Sequence, residues 1–279
     1  MKNQIKMKLT GAVVLAMCFV YGASAVNYSW SGFGDGTTWS QGANWVGGVV
    51  PPSGAVQIAI GTGFPTTSPL PITIGASDTI SLTDQLFGPE WGQTLNISGS
   101  VNAGFGFAPV GAVGGPTSAV NLLGTGSYTS GDSIFLGDMF WFNGGPNVVM
   151  NLFGNSSVTT KFLALGGHLN IFGGTVTVNN GLLTGTPTNG VWGSPLSTDA
   201  TRLIDIGGGR LIVAGDATAQ ANSLIARGIL EGNGIVGNVN IDTISNPGFT
   251  VITAVPEPAS MALLGFGSFV GMLLLRRRS

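Results

Sequence analysis

The chain has 279 residues, of which 47 are glycine, 43% are hydrophobic and only 8% are charged. An ordinary soluble domain has roughly 25% charged residues and about 7% glycine; the glycines here follow no Gly-X-Y period, which excludes collagen, and the hydrophobic fraction argues against disorder. Residues 26–255 hold four basic and eleven acidic side chains, a net charge of −7. Because so few cations cannot neutralise a row of phosphates, we expect no nucleic-acid partner.

The N-terminus has the three parts of a secretory signal peptide. Lysines at positions 2, 6 and 8 precede an apolar run over residues 9–21, and Ala23 and Ala25 form an A-x-A cleavage site. The apolar run is short for a permanent membrane span. We therefore expect residues 1–25 to be a signal helix that enters the secretion translocon and is then removed.

Removal of the signal peptide would make Val26 the first residue of the mature protein. It would also remove Cys18, which is the only cysteine of the chain. The mature protein would then have neither a disulfide nor thiol chemistry.

The body opens with three tryptophans, Trp30, Trp39 and Trp45, in a segment that ends before two prolines at positions 51 and 52. This segment resembles the start of autotransporter-associated β-strand repeat proteins. In a stack of strands the end coil needs a cover for its unpaired edges, and large aromatic side chains can supply it. We expect a cap; the alternative is a platform on which sugars stack.

Four similar phrases follow, each of the form apolar-Asn-apolar-x-Gly and then a polar turn. Their asparagines, Asn96, Asn121, Asn151 and Asn170, are 25, 30 and 19 residues apart. Irregular repeats of this length, built from short strands without helical periodicity, predict an all-β body and favour a β-solenoid, similar to a parallel β-helix. An antiparallel β-sandwich or barrel, which also uses short strands and glycine-rich turns, is the alternative.

In a solenoid the residue after each asparagine would face the core, because strand side chains alternate between faces. This predicts one inward stack, while Gly and Asn would supply the left-handed corners. The predicted stack consists of Ile97, Leu122, Leu152 and Ile171.

The last part of the body contains the best helix candidate, residues 217–228. Asp216 could cap its start and Gly228 could end it. Residues 249–254 are expected to be an extended linker. Glycines at 232, 234 and 237 match the dinucleotide fingerprint as a string, but a strand-like segment follows where that fingerprint needs a helix, so we expect no nucleotide cofactor.

Residues with catalytic or metal-binding chemistry are few. His168, the only histidine, follows two glycines and is expected to be a solvated turn residue; without a His/Cys cluster no zinc site is expected. The body has only two glutamates, Glu90 and Glu231, far apart in sequence, whereas glycoside hydrolysis needs two facing carboxylates.

A polysaccharide lyase would need acids and a basic residue clustered on adjacent coils. Arg202, Asp205, Arg210 and Asp216 could converge in that way, although capping or turn roles explain each one singly. No calcium-loop pattern is present. We expect a protein that is not an enzyme, with no catalytic residue, cofactor or metal.

The C-terminus is a three-part tail. Pro256, Glu257 and Pro258 come first, an apolar run continues to Leu275, and Arg276, Arg277 and Arg278 precede the final serine. Residues 259–275 would form a helix about 25 Å long, at the short limit for a membrane span. The arginines predict that this end stays in the cytoplasm. A plain tail anchor would explain the helix and the arginines, but not Pro-Glu-Pro.

This tail closely resembles the PEP-CTERM sorting domain of Gram-negative bacteria, also called the ice-binding protein C-terminal domain, a label that describes only the tail. The resemblance covers residues 255–279. It implies recognition by an exosortase-type transpeptidase of the inner membrane and cleavage near Pro256, Glu257 and Pro258. It also implies that the helix anchors the chain only transiently, before the body reaches the cell surface or an extracellular polysaccharide matrix.

The expected organisation is therefore a signal peptide at 1–25, a Gly/Asn-rich solenoid body at 26–254 and a sorting tail at 255–279. We favour a surface or extracellular-matrix structural protein that acts through an extended β surface. A carbohydrate-binding or carbohydrate-active protein is one alternative. An ice- or surface-binding protein is another; it would need regular threonine rows, and the threonines at 159–160 and at 175 and 177 do not predict rows in register.

Overall fold

The structure is a computed structural model that describes residues 27–60, 70–89, 92–108, 116–137, 147–183 and 199–256. The expected signal peptide, with Ala23 and Ala25, lies outside the described residues, and so does the tail from Glu257 onward, with its apolar run and Arg276 to Arg278. Within the described ranges, no helix is long and apolar enough to span a bilayer. The predicted transmembrane helix falls outside them.

The described residues form an all-β body with one α-helix, α1 (Thr218–Ala226), and two 3-10 turns (Gly42–Asn44 and Asp199–Thr201). The strands in chain order are β1 Asn27–Ser29, β2 Ala55–Ala59, β3 Ile72–Ile74, β4 Thr79–Phe87, β5 Thr94–Ile97, β6 Ser100–Ala103, β7 Gly106–Ala108, β8 Ser118–Leu122, β9 Ser127–Ser130, β10 Ser133–Leu136, β11 Val148–Leu152, β12 Ser157–Leu165, β13 His168–Ile171, β14 Thr175–Leu183, β15 Leu203–Ile206, β16 Arg210–Ala214, β17 Leu230–Gly232, β18 Ile235–Val236, β19 Val239–Asp242 and β20 Phe249–Ala254.

The strands form two sheets. Sheet A has the order β1-β2-β4-β6-β9-β12-β14-β16-β20-β19, with β7 and β10 beside it, and sheet B has the order β18-β17-β15-β13-β11-β8-β5-β3. From β3 to β17 the chain passes repeatedly between the two sheets, and the pairings of these strands with one another are parallel. Antiparallel strand pairs among the described residues occur at the C-terminal end, at β16–β20, β19–β20 and β17–β18. The antiparallel alternative therefore does not describe the main part of the body.

The core lies between the sheets and is built from residues at equivalent positions of successive strands. Ile97 pairs with Leu122, Leu122 with Leu152 and Leu152 with Ile171, and all four side chains are fully buried. The predicted inward stack is confirmed. Its members follow one another because parallel pairing without a shift places the same position of each phrase side by side.

Glycines permit the close turns that lead from sheet B to sheet A. Gly124 and Gly154 adopt positive φ angles of 61° and 64°, which side chains disfavour. A Cβ atom at Gly126 would collide with the carbonyl oxygen of Ile97 in the neighbouring strand. Asparagine supplies such a corner at one position among the described residues, because Asn233 is the one described non-glycine residue with a positive φ.

The three tryptophans cover the N-terminal end of the body. The Trp39 ring contacts Trp45 edge-on at 4.6 Å between centroids, and Trp45 contacts Trp30 at 5.1 Å. The backbone N–H of Trp39 donates to the carbonyl oxygen of Thr73, so this segment pairs with the edge of β3. The rings are only 2–3% exposed. They form the expected cap, and the alternative of a sugar platform is wrong because no ring offers a face to solvent.

Asp35 organises the loop that carries this cap. Its carboxylate accepts hydrogen bonds from the backbone N–H groups of Thr37 and Thr38 and from Nδ2 of Asn44, at 2.7–2.9 Å. Bonding from the Thr38 side chain, then its backbone and the Asn44 amide, lowers the pKa of Asp35 far below its usual range. The loop is therefore most stable with this carboxylate ionised.

We predict that Leu152→Ala destabilises the body by about 2–5 kcal/mol, because it opens a cavity in the inward stack. Denaturant unfolding of the full chain measures this free energy. Asn155→Ala, at an exposed turn position three residues beyond the strand, is the control and should change it by less than about 0.5 kcal/mol. Equal effects of the two changes would contradict the stack.

We also predict that Asp35→Asn lowers the melting temperature at neutral pH. A lowered pKa in the folded state gives stability above the unfolded pKa of about 3.9, and this stability is lost as the pH falls below that value. The difference in melting temperature between wild type and variant should therefore shrink as the pH is lowered from 5 into the acid range. Thermal melts at several pH values measure this difference. Asp84→Asn is the control: burial raises the pKa of Asp84, so this variant should melt no lower than wild type at neutral pH. A pH-independent difference for Asp35→Asn would refute the assignment.

Candidate functional site

The C-terminal end of the body closes with an antiparallel strand. Strand β20 lies between β16 and β19, and its Thr250 and Ile252 side chains are fully buried. The expectation of a linker over residues 249–254 is therefore wrong. Thr250 is a polar residue at an inward position, and its hydroxyl is satisfied there: it donates to the carbonyl oxygen of Gly215 and accepts from the N–H of Ala217, each at 2.8 Å.

The sorting motif begins directly after this strand. The N–H of Val255 still donates to the carbonyl oxygen of Asn238 at 3.0 Å, whereas the side chains of Val255 and Pro256 are exposed. Glu257 and Pro258 lie outside the described residues. Among the described residues the last hydrogen bond to the body is made by Val255, so a cut after this residue would leave β20 and its pairings intact.

The outer face of sheet B carries a ladder of amides, which we call the asparagine ladder: Asn96, Asn121, Asn151 and Asn170. Each of the last three donates its Nδ2 to the Oδ1 of the asparagine before it, at 2.9 Å. The same register continues to Asp205 and Glu231. The repeated asparagine of the sequence phrases thus acts as a polar seam between strands, the arrangement that stacked identical amides favour.

The outer face of sheet A carries two columns of small polar side chains, together called the hydroxyl face. The strand registers align the first column and, two residues further along each strand, the second. The expectation that the threonines do not repeat in register is therefore wrong. The first column is Thr79, Ser100, Ser127, Ser157 and Thr175, and the second is Ser81, Asn102, Thr129, Thr159 and Thr177.

The two columns differ in how they are bonded. In the first, the Ser127 hydroxyl donates to that of Ser100, and Nε of Arg210, at the end of the column, donates to the hydroxyl of Thr175, both at 3.0 Å. In the part of the chain that the structure describes, no side-chain hydrogen bond is made by a member of the second column. These five polar groups therefore offer their hydrogen-bonding capacity to solvent or to a ligand.

Exposed phenylalanines lie at the turns that flank the hydroxyl face. Phe153 and Phe172 stack on each other with centroids 5.3 Å apart and rings inclined by 23°, and they remain 37% and 48% exposed. They precede β12 and β14, the strands that carry the last two rungs of the face. Phe105 is 47% exposed and follows β6 at the opposite end of that strand.

The structure changes two further expectations. His168 is the first residue of β13, half-buried on a strand rather than solvated in a turn; burial lowers the pKa of His168, opposed by the charge of Glu231. The glycines at 232, 234 and 237 belong to the tight β17–β18 hairpin and the turn after it, and strand β19 follows them, as the sequence predicts.

The four residues considered for a lyase site have separate local contacts. Asp205 accepts from the N–H of Gly234 at 3.0 Å, while Arg210, which lies in the other sheet, donates to the first column of the hydroxyl face. Arg202 is buried. Within the described ranges, no group of three or more His, Cys, Asp or Glu side chains could hold a metal ion.

Helix α1 lies within the predicted segment, but Asp216 is not its N-cap. The N-cap residue is Ala217, and the Asp216 carboxylate instead accepts the N–H of Thr218 at 2.9 Å. Gly228, with φ of 71°, follows the end of the helix as expected.

Comparison with known proteins identifies one family match. Residues 254–278 match the family described as the PEP-CTERM protein-sorting motif. The match begins at Ala254, the last residue of β20, which is the final strand of the part that the structure describes. No curated protein and no solved structure matched the chain, and the likeness to autotransporter-associated repeat proteins has no support from these comparisons. A motif of this kind indicates an exported protein that exosortase sorts.

We predict that Asn121→Ala lowers the free energy of unfolding by about 1–3 kcal/mol, since it removes two hydrogen bonds of the asparagine ladder worth about 0.5–1.5 kcal/mol each. Denaturant unfolding measures the change. Asn102→Ala is the matched control, because it removes the same side chain from an outward position without a ladder bond, and it should cost less than about 0.5 kcal/mol. If both variants lost the same stability, the ladder would not contribute.

Proposed function

We propose that this chain is an exported β-solenoid protein that an exosortase-type transpeptidase sorts to the cell surface or extracellular matrix, where the body has a structural role. The observation that carries the proposal is the PEP-CTERM motif at residues 254–278, placed immediately after the strand that closes the body. A substrate of this kind needs a body that is complete before the cleavage site, and the end of β20 at Ala254 meets that need.

The solenoid assignment rests on the path of the chain. Between β3 and β17 the chain alternates between the two sheets, with β6 followed by β7 and β9 by β10 within sheet A, and strands from successive turns pair in parallel. Parallel strands need a crossover connection, and here the strand in the other sheet is part of that crossover. Repetition of this unit buries a continuous core, with the tryptophan cap at one end and the antiparallel strands at the other.

The sorting route rests on the sequence at both ends. The signal peptide at 1–25 would deliver the chain to the translocon. The apolar run after Pro258 is short for a permanent span, and the three arginines would hold its end in the cytoplasm. By sequence, the two prolines would keep the motif from joining a helix or a strand and would leave it accessible to a membrane enzyme.

We further propose that the body works without catalytic turnover. Several of its carboxylates are engaged in turns: Asp35, Asp216 and Asp242 each accept backbone N–H groups two or three residues ahead. Such bonds lower the pKa of each carboxyl. A carboxylate held ionised in this way is a poor general acid at neutral pH.

The change of Pro256, Glu257 and Pro258 to alanine tests the sorting proposal. We expect the full-length variant to accumulate in the inner membrane, because the transpeptidase no longer recognises the motif while the helix still anchors the chain. Fractionation followed by immunoblotting measures the distribution. Pro247→Ala, in the exposed turn before β20, is the control and should leave sorting unchanged.

Equal delivery of the triple variant and the wild type to the surface or medium would overturn this proposal and leave the segment a plain anchor. N-terminal sequencing of the exported wild type, expected to begin at Val26, checks the other end of the chain. An intact Met1 in that material would contradict removal of the signal peptide.

A further inference from the structure

We propose that the hydroxyl face of sheet A binds an uncharged, hydroxyl-rich polysaccharide chain that lies along the stacking direction of the strands. The inference deepens the proposed matrix role and rests on it for its biological setting. The binding itself would be a property of the folded chain, whatever the route by which the protein is sorted.

Periodicity is the first argument. Neighbouring strands lie about 4.8 Å apart, and residues two apart on one strand lie about 6.6 Å apart. The unshifted register from β4 to β14 therefore makes a grid of two columns and five rungs, about 19 Å long. A grid of this kind suits a polymer that repeats its own hydroxyl groups at regular intervals, rather than a compact ligand with one set of contacts.

Unused hydrogen-bonding capacity is the second argument. The asparagine ladder has the same period on sheet B, but its amides bond to one another. The second column of the hydroxyl face, represented by Thr129, Thr159 and Thr177, makes no side-chain hydrogen bond within the described ranges. Of these two faces, the one on sheet A therefore has a whole column free to donate to and accept from a ligand.

Charge restricts the ligand. None of the ten side chains of the hydroxyl face is charged, and a cation, Arg210, follows only at its C-terminal end. Residues 26–255 carry a net charge of −7, which would repel an acidic polymer. The chemistry therefore favours a neutral glycan over an acidic polysaccharide or a nucleic acid.

The exposed phenylalanines supply the independent observation that favours a sugar over ice. Phe153 and Phe172 stack on each other in the turns that lead from sheet B into β12 and β14, the strands of the last two rungs, and Phe105 is exposed beyond β6. A pyranose ring has hydroxyl groups at its rim and C–H groups on its faces, so it can use both the polar columns and an apolar border. An ice surface offers hydroxyl groups but no C–H face for these rings.

Sedimentation of the detergent-purified full chain with insoluble glycans tests the proposal. The probes are microcrystalline cellulose and chitin as neutral polymers and calcium alginate gel as an acidic one. The first variant combines Thr129→Val, Thr159→Val and Thr177→Val, which keeps β-branched side chains but removes three hydroxyls. The matched control changes the same three residues to serine, which keeps the hydroxyls.

We expect the wild type and the serine variant to bind at least one neutral glycan, and the valine variant to bind it at least 10-fold more weakly, the effect of losing three hydrogen bonds. Far-UV circular dichroism checks that each variant is folded. If the valine variant does not fold, the change of Phe153 and Phe172 to alanine, both at exposed positions, provides the second test and should also weaken binding.

Three results would overturn the proposal: no binding of the wild type to either neutral glycan, equal binding by the valine variant, or binding to alginate alone. A fourth would reassign the face: inhibition of ice recrystallisation by the wild type, lost in the valine variant, without glycan binding. If the alanine change in the sorting motif did not trap the chain, only the sorting proposal would be contradicted. Glycan binding is measured independently, so the two proposals can fail separately.

Discussion

Parallel pairing in register, along the inward stack of sheet B and along the hydroxyl face of sheet A, is the constraint on which the rest of this molecule depends. It places equivalent residues of each turn of the chain next to one another as columns, and the shift between β12 and β14 lies beyond these columns, after Thr160. Inside the body the columns are aliphatic, as for Leu122 and Leu152. Outside they are polar, either as an amide ladder on sheet B or as the hydroxyl face on sheet A. A shift of one residue would exchange inward and outward columns along a whole strand.

The open edges of the sheets are covered in different ways at the two ends of the body. At the N-terminal end the buried tryptophans cover the core, and the backbone of Trp39 pairs with the edge of β3. At the C-terminal end, β20 reverses direction and pairs on both sides. The chain leaves this strand at Val255, one residue after the match to the sorting motif begins.

The sequence predicted the columns whose signal recurs within a short phrase. Ile97 and Leu152 could be assigned to one stack because each follows an asparagine and precedes a glycine turn. The threonine columns could not be assigned, because the turns between strands vary in length: Thr129 and Thr159 are much further apart in sequence than Thr159 and Thr177, yet they are neighbours in the sheet. Only the pairing itself reveals that register. Strand β20 was not predicted for a different reason. Its inward residue Thr250 is polar, so the segment does not show the regular alternation of apolar and polar residues that indicates a strand.

The in-register stack can be measured directly by pulsed electron paramagnetic resonance between two spin labels on the full chain. Labels replace Ser81 and Thr177, the first and last residues of the second column, after Cys18 is changed to serine. Four parallel steps of about 4.8 Å predict backbone positions about 19 Å apart, with a single narrow distribution broadened only by the labels. A distance well above 30 Å, or several separate distances, would show that these strands do not stack in this order and would contradict both the solenoid and the hydroxyl face.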